Sequence, residues 1–521
     1  MVTGIPNEVF YFGMPFAGLV SLIPLYSALA ECRNHKEAGR VISLFAGAVH
    51  LFSSFWLANF QDYAVFTIGA STVFYMLTGY FAGKVLFVPF SLSLSDGGKL
   101  REDSISKPYA AIRRILFFSC MWTVLEWLKS NGTLAYPWGT TIMTAWRWKL
   151  VTQIVALTGT WGISFLYSLL ASTAAEIIRN PRNRYVWNAA FLTATLFILT
   201  LSYGTFQYYK QRIPVKTINT VLVQHNGDSW EESEEDCLAT AAALTEKAIA
   251  ESDLTPELVV WSEGILTFAL PNSWWYYDAI PTDCSVQQTI RQTDVPFIIG
   301  APYVLDEEEL QLGNSAVLLG PDAEILDYYA KIQLVPFAEG IPFGDTVWMQ
   351  NLMQALAGFS HGWKAGNEYK TFTVKGSDSI NLTAPICFED AFPSVCRNLF
   401  KAGSEVFMNI TNDAWSLTKS SEYQHYVISS YRAIEHRTTL VRSTNAGYTT
   451  VTDPAGRILA DLPLFVEDSL LTSIPVYERE ITVYCLLGDW VPLAAVIVLA
   501  LITLQILYLL QFLPFLQYDK Q

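Results

Sequence analysis

Six apolar runs follow one another through roughly the first 210 residues, most of them long enough to cross a bilayer. They lie near Phe10–Ala30, Val41–Phe60, Ala64–Phe90, Ile115–Leu128, Leu150–Ile178 and Val186–Tyr208. Buried helices of a large soluble protein do not account for them, because six in succession leave no polar faces for water. The composition agrees. Hydrophobic residues make 51% of the chain and charged ones 16%, against about 25% charged in soluble domains. A seventh run, Trp490 to Phe515, lies near the other end and is followed by the short tail 517–521. Met1 to Val9 carries no basic segment, so a cleaved signal peptide is not expected.

The breaks between runs fix an orientation. Arg33, Lys36 and Arg40 fill the first break, Lys99, Arg101, Lys107, Arg113 and Arg114 the third, and Arg179, Arg182 and Arg184 the fifth. The second break, Asn59 to Tyr63, has no basic residue, and the fourth, Ser130 to Trp146, is rich in Gly, Pro and aromatics. Odd breaks are therefore expected in the cytoplasm and the amino terminus outside.

From about Val215 to Tyr477 short β-rich runs alternate with polar helical stretches. Val221–Gln224, Leu258–Trp261, Phe297–Gly300, Ser315–Leu319 and Val406–Ile410 read as buried strands; Glu231–Ser252, Asp390–Lys401 and Glu422–Arg437 read as helices. The alternation predicts an α/β domain of layered sheets. Seven crossings then place this domain outside the membrane and the tail in the cytoplasm.

A net charge of −15 argues against a nucleic-acid partner. The seven cysteines are scattered, with no CxxC pattern, and Cys32, Cys120 and Cys485 read as packing residues. A Cys387–Cys396 disulfide has no support beyond nearness in sequence. No two histidines or cysteines stand at metal-ligand spacing, so neither metal nor cofactor is expected.

Three strand ends carry groups able to do chemistry together. Cys387 follows the strand-like run Ile380–Thr383 and precedes Glu389 and Asp390. Taken alone, such a cysteine reads as a packing residue. Glu263 ends the buried run Val259-Val260-Trp261-Ser262. Lys331 and then Glu339 sit in the otherwise apolar stretch Tyr328 to Glu339, and buried charges need partners. A carboxylate that takes a thiol proton beside an ammonium that stabilises the resulting anions makes a nucleophile.

These three stretches resemble the carbon–nitrogen hydrolase (nitrilase) superfamily, whose Glu–Lys–Cys triad is carried on a four-layer αββα sandwich. Asn314, Asn412-Asp413-Ala414-Trp415, Gln424-His425, Arg432-Ala433-Ile434-Glu435 and Arg442-Ser443-Thr444-Asn445-Ala446-Gly447 match as well. With a bundle before the domain and one span after it, nearly the whole chain resembles the apolipoprotein N-acyltransferase family. The fold this implies is a nitrilase-like α/β sandwich inserted before the last helix of an all-α transmembrane bundle. Residues 1–212 form the bundle, 213–480 the extracytoplasmic domain, and 488–521 the final helix and cytoplasmic tail.

The resemblance implies Glu263 as general base, Lys331 as stabiliser of oxyanion and thiolate, and Cys387 as nucleophile. It implies supporting roles for Glu339, Glu389, Phe388 and Trp230. The implied reaction moves a fatty acyl chain from a membrane phospholipid to Cys387 as a thioester. The chain then passes to the α-amino group of an S-diacylglyceryl-cysteine apolipoprotein, the last step of bacterial lipoprotein maturation. Donor phospholipid, diacylated apolipoprotein and bilayer are the implied partners of a monomer in the bacterial inner membrane, with its catalytic domain on the periplasmic side. The alternative is a membrane-tethered amide or nitrile hydrolase with water as acceptor. A degenerate lipid-binding scaffold is expected to have lost one of the triad, and all three residues are present.

The chain departs from the family pattern at Ser262, where Pro is usual, at Phe388, where Tyr is usual, and in having one amino-terminal span fewer. Two apolar segments flank the candidate residues: Pro271–Tyr277, with Trp274 and Trp275, and Thr346–Leu356, with Trp348 and Leu352. Both are expected to be arms that dip into the outer leaflet and wall the lipid entrance.

Overall fold

Two stretches of this chain pass from strand to helix to parallel strand and on again, and each builds the centre of a six-stranded sheet. The computed structural model describes residues 1–59, 64–91, 107–309, 311–344, 346–357 and 362–512. They form two units, one of Met1–Ser130, Tyr136–Tyr209 and Leu487–Gln521, the other of Asn131–Ala135 and Lys210–Leu486.

In the second unit β1 (Lys216–Gln224), β2 (Leu258–Val260), β3 (Phe297–Asp306), β4 (Gln311–Leu319) and β5 (Ile325–Ala330) are followed by β6 (Phe372–Lys375), β7 (Ser379–Thr383) and β8 (Val406–Thr411). Then come β9 (Thr439–Thr444), β10 (Thr450–Thr452), β11 (Ile458–Asp461) and β12 (Asp468–Val476). The sheet orders are β12-β1-β2-β3-β4-β5 and β11-β10-β9-β8-β7-β6. β1, β2 and β3 run parallel, as do β7, β8 and β9, with antiparallel strands on the flanks.

Strands buried on both faces read as continuous apolar runs. Val221, Val223, Val259 and Trp261 pack with Leu238 and Ala241 of the helix Glu234–Ala250 and with Val286 and Ile290 of the helix Val286–Thr293. The alternate residues Leu222, Val260 and Ile298 are equally buried on the other face. There the second sheet meets the first: Ser443 Oγ donates to the Val260 carbonyl at 3.1 Å and Thr449 Oγ1 to Gln224 Oε1 at 2.8 Å. Outside the second sheet, Phe400 and His436, from the helices Pro393–Lys401 and Lys419–His436, stack at 5.0 Å and pack on Phe407 of β8. The layers are helix, sheet, sheet, helix, the expected αββα sandwich.

The helix expected over Asp390–Lys401 starts only at Pro393. Proline disfavours helical backbone in the residue before it, and Phe392 is extended at φ −101°, ψ 111°. Cys387–Ala391 is instead a separate 3₁₀ turn.

Among the described residues of the first unit, four helices are long and apolar enough to cross a membrane: Thr67–Ser91, Trp161–Arg179, Arg184–Tyr209 and Trp490–Tyr508. The helices His35–Ser53 and Lys107–Lys129 carry Lys36, Glu37 and Arg40, and Arg113, Arg114 and Glu126, within their length. Two expected runs are interrupted. Leu150–Ile178 is cut at Gly159, whose φ of 63° ends one short helix before Trp161 begins the next. Phe10–Ala30 is divided at Ser21 into Pro15–Val20 and Leu22–Glu31, and Pro24 has no amide to continue the ladder. Parts of the second and third breaks, and the tail, lie outside the described residues. The buried Glu176 carboxylate in this unit is paired: Arg114 Nε and the Tyr26 hydroxyl both donate to its Oε1, at 2.7 and 2.6 Å. Asp489, just before the last helix, accepts from the indoles of Trp127 and Trp161, each at 2.8 Å.

Candidate active site

Glu263, Lys331, Cys387 and Asn412 all lie just past strand ends, after β2, β5, β7 and β8, which bring them to one end of the sandwich. Ligand crevices of α/β sheets form at such ends.

Lys331 is 1% exposed, and its Nζ donates to Glu263 Oε1 at 3.0 Å and to Glu339 Oε1 at 2.7 Å. Burial alone would lower its pKa, but the two carboxylates and the nearby Cys387 outweigh it and hold the ammonium charged well above its ordinary range. The carboxylates have further donors. Asn314 Nδ2, on β4, reaches Glu263 Oε1 at 2.7 Å and Glu339 Oε1 at 2.8 Å. The Asn412 amide donates to Glu263 Oε2 at 2.8 Å, and the Val335 amide to Glu339 Oε2 at 2.8 Å.

Cys387 opens the 3₁₀ turn at φ 47°. For a residue with a Cβ this left-handed conformation costs about 1–2 kcal/mol. The turn is held by Asn409, whose Nδ2 donates to the carbonyls of Pro385 at 3.0 Å and Cys387 at 3.3 Å. Burial raises the thiol pKa well above its usual value, the Glu263 and Asp413 charges raise it further, and Lys331 opposes them. The resting sulfur is therefore a neutral thiol, which needs a base before it can attack.

Glu389, two residues on, faces donors only. Its Oε1 accepts from the amides of Ile332 at 2.7 Å and Gln333 at 3.1 Å, and its Oε2 from the Ile386 amide at 2.8 Å. The Tyr329 hydroxyl reaches both oxygens, at 2.9 and 3.1 Å. Burial pushes this carboxyl up to about 7 against the pull of those amides. One side chain thus ties the backbone after Lys331 to the backbone before Cys387.

Phe388 is buried against Phe392, ring centroids 4.7 Å apart. Ser262 Oγ lies 3.1 Å from His225 Nε2. Trp230 is half-exposed; its indole donates to the Gly264 carbonyl at 3.0 Å and meets Trp363 edge-on at 5.9 Å. The two aromatic segments differ in how they present their rings. Trp274 turns inward, its indole bonded to the Ala323 carbonyl at 2.9 Å, whereas Trp275 is 75% exposed. Trp348 is 60% exposed at the start of the helix Val347–Ala357, which also contains Leu352. Phe337, Phe343 and Val347 nearby are exposed as well. All seven cysteines are free, Cys387 and Cys396 included.

Sequence reasoning passed over one group. Cys387 Sγ, an Asp413 oxygen and a His425 ring nitrogen lie within 4.8 Å of one another. The imidazole sits between Asp390, 3.0 Å from Nε2, and Asp413, 2.9 Å from Nδ1. Burial would lower its pKa, but the two carboxylates lift it to about 9 against the pull of Arg442. With both nitrogens protonated, the ring donates to a carboxylate on each side. Asp413, His425 and Arg442 fall in the matching motifs, but nothing in their spacing pointed to the thiol.

The carbon-nitrogen hydrolase family matches residues 220–480, which gives the class of the sandwich. The apolipoprotein N-acyltransferase N-terminal domain matches residues 4–173. Apolipoprotein N-acyltransferase 2 of Treponema denticola is 42% identical over 514 residues, covering 95% of this chain and 93% of that one. Apolipoprotein N-acyltransferase of Borreliella burgdorferi is 28% identical, covering 93% and 89%. Saccharomyces cerevisiae Nit3, a solved member of the nitrilase superfamily, is 17% identical with a TM-score of 0.36, covering 51% of this chain and 92% of that one. The chain belongs to the apolipoprotein N-acyltransferase family.

Proposed function

We propose that this chain is a membrane acyltransferase that moves a fatty acyl chain from a phospholipid to the α-amino group of a diacylated lipoprotein cysteine, with Cys387 carrying the chain between them. The observation that carries the reading is the Lys331 ammonium, buried between the carboxylates of Glu263 and Glu339 beside a neutral thiol.

In the first half-reaction Glu263 takes the thiol proton and Sγ attacks the donor ester carbonyl carbon. A C–S bond forms, and the oxyanion is stabilised by Lys331. The ester C–O bond then breaks, the Glu263 proton passes to the departing lysophospholipid oxygen, and the thioester remains. In the second half-reaction the lipoprotein amine attacks the thioester carbon, a C–N bond forms and the C–S bond breaks. Glu263 takes one amine proton, which returns to the sulfur. Glu339 and Asn314 keep the ammonium and the base in register, and Glu389 keeps the two loops together.

Both substrates are lipids, so the thiol needs access to acyl chains. The exposed rings of Trp275 and Trp348 suit lipid-facing arms, as bilayer interfaces favour Trp. The basic residues of the odd breaks support a catalytic domain on the outer side of the bacterial inner membrane. Water as acceptor is the weaker reading, because the family match extends through the amino-terminal domain as well as the sandwich. The test is mass spectrometry of the purified protein after incubation with phospholipid. The reading predicts a fatty-acyl increment on Cys387 that a diacylated lipopeptide discharges much faster than water does, and equal discharge by water would favour the hydrolase.

A further inference from the structure

Four ionisable groups packed behind Cys387 are left idle by the acyl-transfer scheme. They come from separate elements: Asp390 from the 3₁₀ turn, Asp413 from the end of β8, His425 from the helix Lys419–His436 and Arg442 from β9. Arg442 and Asp390 are fully buried, and Asp413 and His425 nearly so. Arg442 Nη2 lies 3.2 Å from Asp413 Oδ2, and its Nη1 donates to Asp390 Oδ2. His425 bridges the same two carboxylates from the other side, at 3.0 and 2.9 Å. Glu422, one turn earlier on the helix, accepts from the Ser416 hydroxyl. Burial and the Asp413 charge push its carboxyl well up.

Two cations and two anions balance, but not evenly around the thiol. The charged groups that act on Cys387 from the packed elements include Glu263, Lys331, Asp413 and Arg442, the last shared with Asp390 as well as Asp413. Lys331 is already shared between Glu263 and Glu339. A carboxylate of Asp413 within 4.8 Å of Sγ opposes both the thiolate and the anionic tetrahedral intermediate, unless its charge is offset on the spot.

We propose that His425 is a positioning residue for the Cys387 thiolate: it clamps the Asp413 carboxylate and cancels its charge where that charge faces the sulfur. The inference rests on reading Cys387 as the acyl-carrying thiol. His425 takes no proton from substrate; it acts through Asp413. A merely structural His425 is replaceable by any side chain that keeps the hydrogen bonds, whereas a charge-cancelling one is not. Removing Asp413's charge then relieves the loss of His425's.

The test is the alkylation rate of Cys387 by iodoacetamide across pH, on the full chain in detergent, with peptide mass mapping to separate Cys387 from the other six cysteines. In that reaction the thiolate carbon–sulfur bond forms as iodide leaves, so the rate follows the thiolate fraction. His425→Gln is expected to slow alkylation near neutral pH by about tenfold, one unit of alkaline shift in the profile. Asp413→Asn alone is expected to shift the profile toward acid, and the His425→Gln/Asp413→Asn double variant to recover most of the lost rate. An unchanged profile in folded His425→Gln, or a double variant no faster than His425→Gln, overturns the proposal. If His425→Gln does not fold, Asp413→Asn decides: an acid shift supports the proposal, and no shift or an alkaline one overturns it. Loss of the nucleophile reading looks different, since an acyl adduct then persists in Cys387→Ala. Unshifted profiles with Cys387 still acylated remove this inference alone.

Discussion

Asn314 Nδ2 and Lys331 Nζ meet the same two carboxylate oxygens, Oε1 of Glu263 and Oε1 of Glu339, at 2.7 to 3.0 Å. One donor is neutral and the other charged, so the site has a double clamp in which only Lys331 can answer a developing negative charge. Lys331→Met leaves two buried carboxylates uncompensated. It is expected to cut acyl-enzyme formation by about a thousandfold and to cost about 3–5 kcal/mol of stability. Asn314→Leu keeps the ammonium and is expected to cost about ten- to a hundredfold in the same rate. Rapid-quench intact-mass kinetics with a phospholipid or soluble acyl ester reads both; an equal loss in the two variants would contradict the division of labour.

Glu389 faces three backbone amides and the Tyr329 hydroxyl. A glutamine there points an amide donor at groups that themselves donate. Glu389→Gln is therefore expected to destabilise the fold by about 2 kcal/mol and to slow acylation with it, as Lys331 and Cys387 lose their common tie. Thermal unfolding alongside acylation kinetics checks this, and an intact melting temperature with slow acylation would separate the two effects.

The raised groups also give a pH dependence. Glu389, lifted to about 7, binds its proton more tightly folded than unfolded. Its contribution is present below the ordinary carboxylate range and is lost as pH rises through about 7. His425, lifted to about 9, contributes below its ordinary range and loses that contribution as pH rises through about 9. The melting temperature is expected to fall in two stages as pH rises, the first complete by about pH 7 and the second by about pH 9. Glu389→Gln should remove the earlier stage and His425→Gln the later, as differential scanning fluorimetry across pH will read.

Trp348 and Trp275 carry the lipid-access argument. Trp348→Glu and Trp275→Glu are expected to reduce turnover of vesicle phospholipid about tenfold or more while leaving thioester formation from a soluble acyl ester within about twofold. Equal loss with both donors would remove these rings from lipid entry.

Much of this arrangement was legible in the chain. The parallel strands β1, β2, β3 and β8 are buried on both faces, so they read as unbroken apolar runs, and the groups at their ends could be named. What was not legible depended on contacts distant in sequence. Asn314 lies 51 residues from Glu263, and His425 lies 35 from Asp390; no local pattern joins them. The thiol's nearest histidine was passed over because it sits on a helix, away from the strand ends that drew notice. Trp274 and Trp275 look alike in sequence, yet only one ring turns outward. Hydropathy also overran the breaks at Gly159 and Ser21, because a residue that ends a helix need not be polar.

The central claim is that Cys387 carries the acyl chain from phospholipid to lipoprotein amine, and intact mass spectrometry tests it most directly. The wild-type chain incubated with phospholipid should gain one fatty-acyl increment, mapped to the Cys387 peptide and discharged by a diacylated lipopeptide with N-acylation of that peptide. A Cys387→Ala chain that still gains the increment, or a wild-type adduct that the lipopeptide cannot discharge, would contradict it.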